Sequence, residues 1–276
     1  MDRIFIAFKE EGISSNKFIQ KLKKELNVNK IGHAGTLDPF ASGLLLIGTE
    51  NYTKLLNYFK DLDKTYVGTI LFGKETDTFD KTGKIIKEEK VNINFELLKK
   101  IIKDNFIGKI EQKPPLYSAI KIKGISAYKY AQKGLNLELI ARERFIYYFK
   151  IYRTEKQNEF TFEIKVSSGT YIRAIARDLA IKLNTVAILT SLRRIKIFDL
   201  KLEDQKMKEI SDPYKFLNIE KILLSDQLIK NLLNGKLIEI LGQEKQILIA
   251  LSHDHIHEIL VEKIRKGVYK IKKRIK

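Results

Sequence analysis

Cysteine is absent from the 276 residues, which rules out disulfides, thiolate nucleophiles and cysteine-ligated zinc. A coding bias towards Lys, Ile and Asn would remove the residue equally well, so its absence says little about compartment. Uncharged apolar runs of the roughly 20 residues that a bilayer span requires are missing too. The N-terminal MDRIFIAFKEEG alternates like a strand and lacks the apolar centre of a signal peptide, so a cytoplasmic protein without a membrane partner is expected. Neither a G-x-x-x-x-G-K-[ST] phosphate loop nor a strand-linked G-x-G-x-x-G occurs, which removes the usual cradles of ATP-driven and dinucleotide-dependent chemistry. The serine-hydrolase elbow G-x-S-x-G is also missing; Ala41 to Gly43 evokes it only superficially.

What is present is positive charge. Lys and Arg number 52 against 34 Asp and Glu, a formal net charge of +18, which points to a polyanionic partner, with nucleic acid the leading candidate. Most of the excess is Lys. Arg142, Arg144, Arg173, Arg177, Arg193 and Arg194 crowd into one stretch, and Arg's planar fork is what carboxylate and phosphate recognition demands.

The length suits one large domain, or about 200 residues with a small appendage. Arg3 to Phe8 reads as a strand, and Ser14 or Ser15 caps a helix to about Asn27 with Phe18, Ile19 and Leu22 on its apolar face. A long loop, a short apolar strand at Gly43 to Gly48, a helical piece at Thr53 to Phe59 and an extended segment from Lys64 follow. Asn94 caps FELLKKIIKDNF, the two prolines of QKPPLYSAIKIKG start an extended run, and Ser126 starts a short helix. Two strands flank TEKQNE between Phe145 and Val166, and SSGTYIRAIARDLAIKLN enters a helix with Ile172, Ile175 and Leu179 on its apolar face. Hairpin strands with interspersed helices predict a mixed, largely antiparallel α/β sheet with flanking helices. Past Leu200 a polar connector leads to a capped helix ending at Gly235 and three strand-like runs, a small β-rich appendage. His253, His255 and His257 would share one face if their run were a strand. Surface histidines on a basic appendage need no metal, and none is expected.

One stretch stands apart from the lysine-rich background: GHAGTLDPFASGLL, residues 32 to 45, holds a single aspartate between a Gly-rich turn and a proline. It resembles the signature of the TruB-type tRNA pseudouridine synthases, of the bacterial standalone type. DKTYVGTILFGKETDTFDKTG, QKPPLYSAIKIKG, SSGTYIRAIARDLA and SLRRI resemble further segments of that family in the same order. The likeness is strong over about residues 1 to 200 and looser beyond. Ala34 stands where Thr is common, and LLLIGTENYTK lacks the Pro and Arg often seen in that run.

The resemblance implies a pseudouridine synthase fold over residues 1–222, a small PUA-like RNA-binding domain over 223–276, and isomerisation of a uridine in the T loop of tRNA, position 55. The reaction breaks the bond from C1′ to N1 and remakes it to C5, so no cofactor is needed. A carboxylate can serve as nucleophile or electrostatic stabiliser beside sugar and base, and the family likeness assigns the covalent intermediate to Asp38, with attack at C6 of the base and action at C1′ both open. Read alone, Asp38 is an Asx-turn residue. Arg173 is implied as its partner, with Arg177 the internal competitor, one turn later beside Asp178. Because the uridine must leave its stack, Tyr66 is expected to stack on the flipped base, Tyr171 and Leu192 to line the pocket, and His33 to occupy space near the displaced nucleotide. Each of these would otherwise be an ordinary core residue. The partner expected is a tRNA T stem-loop, met by a monomer; the short lead before the first strand argues against a guide-RNA-dependent relative. The rival reading is a non-catalytic RNA binder or chaperone, which has no use for an Asp, an Arg and a Tyr converging on one pocket.

Overall fold

The computed structural model describes residues 2–118, 139–203, 207–254 and 256–276, with 121–122, 125–126 and 130 between them. The strands in chain order are β1 (Ile4–Lys9), β2 (Ile31–Ala34), β3 (Ser42–Thr49), β4 (Lys64–Phe72), β5 (Lys74–Thr76), β6 (Ile85–Glu88), β7 (Gly108–Gln112), β8 (Lys121–Ile122) and β9 (Ile125–Ser126). After them come β10 (Arg142–Arg153), β11 (Glu159–Val166), β12 (Ala187–Ile197), β13 (Lys208–Glu209), β14 (Glu220–Leu223), β15 (Ile238–Glu239), β16 (Ile247–Leu251), β17 (Glu258–Arg265) and β18 (Val268–Arg274). The helices are α1 (Ser15–Glu25), α2 (Leu56–Phe59), α3 (Phe95–Asn105), α4 (Ile172–Lys182), α5 (Pro213–Phe216) and α6 (Asp226–Leu233).

Nine strands form one sheet in the order β13-β1-β3-β12-β4-β11-β10-β7, with β2 paired to β3. Its pairings are antiparallel except where β12 meets β3, Arg194 opposite Gly43. The expected mixed, largely antiparallel α/β architecture is therefore present. Central strands are covered on both faces. Ile4 and Ile6 of β1 pack with Leu44 and Leu46 of β3 on one side, while Phe5 and Ala7 pack with Leu45, Ile47 and Ile19 of α1 on the other. A larger core lies between β4, β10, β11, β12 and helices α3 and α4. The helices begin where their capping residues stand: Ser14 Oγ accepts from Lys17 N–H, and Asn94 Oδ1 from Glu96 and Leu97 N–H.

Five strands, β14-β16-β17-β18-β15, make a second sheet backed by α6. The strand β14 opens this sheet on the far side of the polar connector. That connector is more structured than its composition suggests: Asp212 caps α5, and Ile210 and Tyr214 are buried.

Some local expectations change. The loop expected after α1 contains β2, whose His33 lies opposite Ile47, because IGHA, with Gly32 inside it and Gly35 after it, can lie beside an apolar strand already in the sheet. Residue 126 belongs to β9, and the helix expected to follow it lies outside the described residues. His253 sits in a turn and His257 precedes β17, so the strand face imagined for the three histidines does not form; residue 255 lies outside the described residues.

Candidate active site

Three restraints fix the loop that carries Asp38. The buried Ser15 hydroxyl, at the start of α1, accepts from Leu37 N–H and donates to Leu37 C=O, both at 2.9 Å. Gly12 N–H donates to Pro39 C=O at 2.8 Å, and Ala41 N–H closes a turn onto Asp38 C=O at 3.1 Å. Gly35 takes a φ of +80° just upstream, and Arg194 Nη2 holds its carbonyl at 2.9 Å.

Arg173, in the first turn of α4, reaches this loop from across the sheet. Its Nε donates to Asp38 Oδ2 at 2.8 Å, Nη1 to Thr78 C=O at 2.8 Å and Nη2 to Tyr117 C=O at 2.9 Å. The Arg173 side chain is 4% exposed, while the Asp38 side chain is 34% exposed. The guanidinium is thus enclosed and the carboxylate keeps an open side. Asp80 Oδ2 lies 3.7 Å from Arg173 Nε, and its Oδ1 accepts from Thr82 N–H at 2.9 Å and Thr78 Oγ1 at 3.0 Å. One buried cation therefore sits between two carboxylates, of which Asp80 is anchored separately by Thr78 and Thr82.

The open side of Asp38 faces a cavity of about 600 Å³ whose walls include His33, Tyr66, Tyr171, Leu192, Lys64 and Arg194. Five of the six residues singled out from sequence line it together, and the sixth, Arg173, grips Asp38. The competitor Arg177 is elsewhere: its Nε donates to Asp178 Oδ1 at 2.8 Å, its Nη2 to Lys113 C=O at 2.9 Å, and its plane covers the Phe79 ring. Tyr171 precedes α4, where buried Gln112 clamps it by accepting from its N–H at 2.8 Å and donating to its C=O at 3.0 Å. Burial raises the Tyr171 phenol pKa, and burial, Arg194 and Lys60 lower that of His33, so both rings are neutral partners at pH 7. His33 Nδ1 is buried with no hydrogen-bond partner among the described residues.

The uncharged surroundings of Asp38 in sequence do not persist in space. Lys9 and Lys64 are buried, and burial lowers each pKa to about 8, with Asp38 opposing the shift at Lys9 and Arg194 reinforcing it at Lys64. Lys9 Nζ donates to Glu10 and Ile13 C=O, Lys64 Nζ to Lys60 and Leu62 C=O. Asp80, Arg194, Lys64 and Gln112 escaped the sequence reading of the site. The segments DKTG and SLRRI were noticed, yet nothing in local pattern tells a buried Asp or Arg from an exposed one.

A basic cavity with a guanidinium-held carboxylate at its wall, on this sheet, fits an enzyme of the pseudouridine synthase class, and the family match gives that class. A chain from the crystal structure of a Cbf5–Nop10–Gar1 complex has the same fold, with a TM-score of 0.70 at 18% identity over 99% of this chain and 85% of that one. A chain from the structure of an H/ACA RNP bound to a substrate RNA containing 2′-deoxyuridine gives 0.67 at 17%, covering 99% and 85%. Residues 23–172 match the model of the TruB family pseudouridylate synthase, N-terminal domain. The tRNA pseudouridine synthase B of Acholeplasma laidlawii is 42% identical over 246 residues, 87% of each chain. That of Mycoplasma mobile is 41% identical over 246 residues, 88% of this chain and 85% of its own. The chain belongs to the TruB family of pseudouridylate synthases.

Proposed function

We propose that this enzyme converts the uridine at position 55, in the T loop of tRNA, to pseudouridine, acting alone as a monomer without a guide RNA and without a cofactor. The observation that carries the reading is Asp38, held by Arg173 at 2.8 Å with its free side turned to a cavity large enough for a nucleotide. The tRNA pseudouridine synthase B relatives supply the substrate class.

In this reading the target nucleotide swings out of its stack into the cavity. Tyr66 stacks on the base, Leu192 and Tyr171 close its apolar sides, and His33 occupies the space near the vacated position. Asp38, kept ionised and oriented by Arg173, forms the covalent intermediate as the N1–C1′ bond breaks. The base turns, C1′–C5 forms, the bond to Asp38 breaks with its electron pair returning to the carboxylate, the proton on C5 is lost and N1 gains one, so product and substrate are isomers. The division of labour we propose is a catalytic unit over residues 1–222 and an RNA-gripping appendage over 223–276, which the strand β14 joins at its edge.

The test is to incubate unmodified tRNA with the protein and no added cofactor, then map pseudouridine along the RNA. We expect the modification at position 55, and none with Asp38→Asn, which keeps shape and tRNA affinity but removes charge and nucleophile. Pseudouridine formed by Asp38→Asn, or formed only at another position, overturns the assignment.

A further inference from the structure

The rim beside the cavity carries a pair of aromatic rings that the reaction leaves unused. Phe145 and Tyr147 of β10 are each 43% exposed, and their ring centroids lie 5.0 Å apart at an interplanar angle of 54°. Exposing one large ring is unremarkable, but two in contact leave a continuous apolar surface that water covers poorly. The backbone is shaped to produce it. Between Ile146 and Tyr148 the pairing of β10 with β11 shifts register, so Tyr147 is the extra residue of a bulge. Bulges re-aim side chains, and they gather near functional sites.

Two separate links tie this ring pair to the cavity. Phe145 N–H donates to Ser167 Oγ at 2.9 Å and Phe145 C=O accepts from Ser167 N–H at 2.8 Å, and Ser167 is part of the cavity wall. Tyr147 Oη donates to Asp63 Oδ1 at 2.8 Å, and Asp63 adjoins Lys64 of the same wall. The setting is cationic. Lys165 Nζ lies 4.9 Å from the Tyr147 ring centroid and 3.7 Å from Asp63 Oδ2, and the Arg144 guanidinium lies close enough to Gly169 that a Cβ there would meet its Nη2 at 3.1 Å.

We propose that Phe145 and Tyr147 form a stacking platform for an unpaired base of the substrate RNA next to the nucleotide that enters the cavity. The proposal rests on the RNA-uridine reading of that cavity. When one nucleotide leaves a loop stack its neighbour loses a face, and an exposed ring pair with Lys165 against it and Arg144 beside Gly169 of the cavity wall supplies both a π-surface and charge for the adjoining phosphate. A protein partner would not call for that pairing of rings with cations beside a nucleotide-sized cavity. Asp63 and Lys165 hold the Tyr147 ring in place before RNA arrives, which reduces the ordering cost of the interaction.

The experiment uses T stem-loop RNAs carrying 2-aminopurine at one loop position at a time, titrated with the full chain and with Phe145→Ala, Tyr147→Ala and their combination. At one position beside the target uridine we expect fluorescence quenching with the unaltered protein and little with the double variant. Affinity for the RNA should fall about tenfold, the lower part of the range for removal of base stacking. Phe145→Tyr and Tyr147→Phe should retain both signals, since the rings remain. Because both sites are half-exposed, thermal unfolding should be nearly unchanged, and titrations are run well below the least stable variant's transition. Quenching that is the same at every loop position for both proteins overturns the proposal. So does Tyr147→Phe weakening the RNA as much as Tyr147→Ala, which would put the effect in the Asp63 bond. Failure of the underlying reading is separate: it shows as unaltered protein that converts no uridine, whatever the quenching.

Discussion

At the scale of single residues, charge alone does not account for Arg173. Three of its nitrogens serve three directions at once, towards Asp38, Thr78 and Tyr117, and a lysine has one nitrogen to place. Arg173→Lys should therefore keep the ion pair roughly but release the carboxylate's angle, and turnover should fall about a hundredfold or more while RNA binding changes little. Arg177→Lys is the internal control and should be near normal; a larger loss there than at Arg173 would show that the wrong arginine has been paired with Asp38. A second prediction concerns the buried lysines. Lys9 and Lys64 release their protons near pH 8 when folded, against 10.5 when free. Over that interval the unfolded chain binds more protons than the folded one, so each lysine makes stability rise with pH across the window and contributes nothing to the slope below it. Lys64→Met should flatten part of the rise between about pH 8 and 9.5, before exposed tyrosines ionise in the unfolded chain. Denaturant midpoints at several pH values for both proteins check this; parallel curves would show Lys64 to titrate as a free lysine.

Among elements, the pairing of β3 with β12 matters most for the site, because it joins the strand after Asp38 to the strand bearing Leu192 and Arg194. The joint is a parallel pairing of only two registered positions, and Gly43 makes it possible. Its φ is +112°, and a Cβ there would run into Arg194 C=O and lie 2.7 Å from Arg194 N. Gly43→Ala should cost on the order of 3 kcal/mol through strain and forced separation. Gly12→Ala, at φ +90° with nothing within 4 Å, should cost only about 1 kcal/mol for the backbone. Equal costs in denaturant unfolding would mean that the joint yields without effort. The same strands show where sequence was readable. The helices α1, α3 and α4 announced themselves through caps at Ser14 and Asn94 or through a clean apolar face, since those signals are local. β12 did not, because AILTSLRRIKI places three cations, Arg193, Arg194 and Lys196, in a strand at the centre of the sheet. Arg194 can be buried there only because Leu44 and Gly35, 150 and 159 residues earlier, offer carbonyls to it. Asp80 was hidden for the same reason. Asp38, Arg173, Tyr66, Tyr171, Leu192 and His33 were found through family motifs, which carry long-range information that periodicity lacks.

For the whole molecule, the question is how far the two sheets are separable. Ile249, Leu260 and Ile275 of the smaller sheet and its end share one buried cluster with Ile4, Ile6, Leu44, Leu46 and Phe59. Polar links cross the same boundary. Glu258 of β17 accepts from Tyr52 Oη at 3.1 Å and Tyr214 Oη at 2.7 Å, and Lys54 Nζ donates to Ile275 C=O at 2.9 Å. Ending the chain near Leu223 would uncover this cluster, at about 1.5 to 3 kcal/mol for each large apolar side chain returned to water. A shortened protein should accordingly unfold at lower temperature and lose activity on every RNA, so truncation cannot isolate the grip of the appendage. Surface charge can. Lys270, Lys272 and Arg274 are exposed at alternate positions of β18, while Tyr269 and Ile275 point into the core. Glu262 pairs with both lysines, at 3.3 Å and 3.0 Å, so the row carries more cation than its partner neutralises. Replacing all three by Ala leaves the shared core untouched. If this row meets tRNA phosphates, the variant should bind full-length tRNA more weakly, and the slope of log affinity against log salt should shrink by roughly 0.7 to 0.9 for each phosphate no longer neutralised. Turnover on an isolated T stem-loop should stay near that of the unaltered protein, because the cavity and the Asp38–Arg173 pair lie on the other sheet. An unchanged salt slope with full-length tRNA would remove β18 from the RNA interface, and an equal loss on both RNAs would place this strand in the service of the active site.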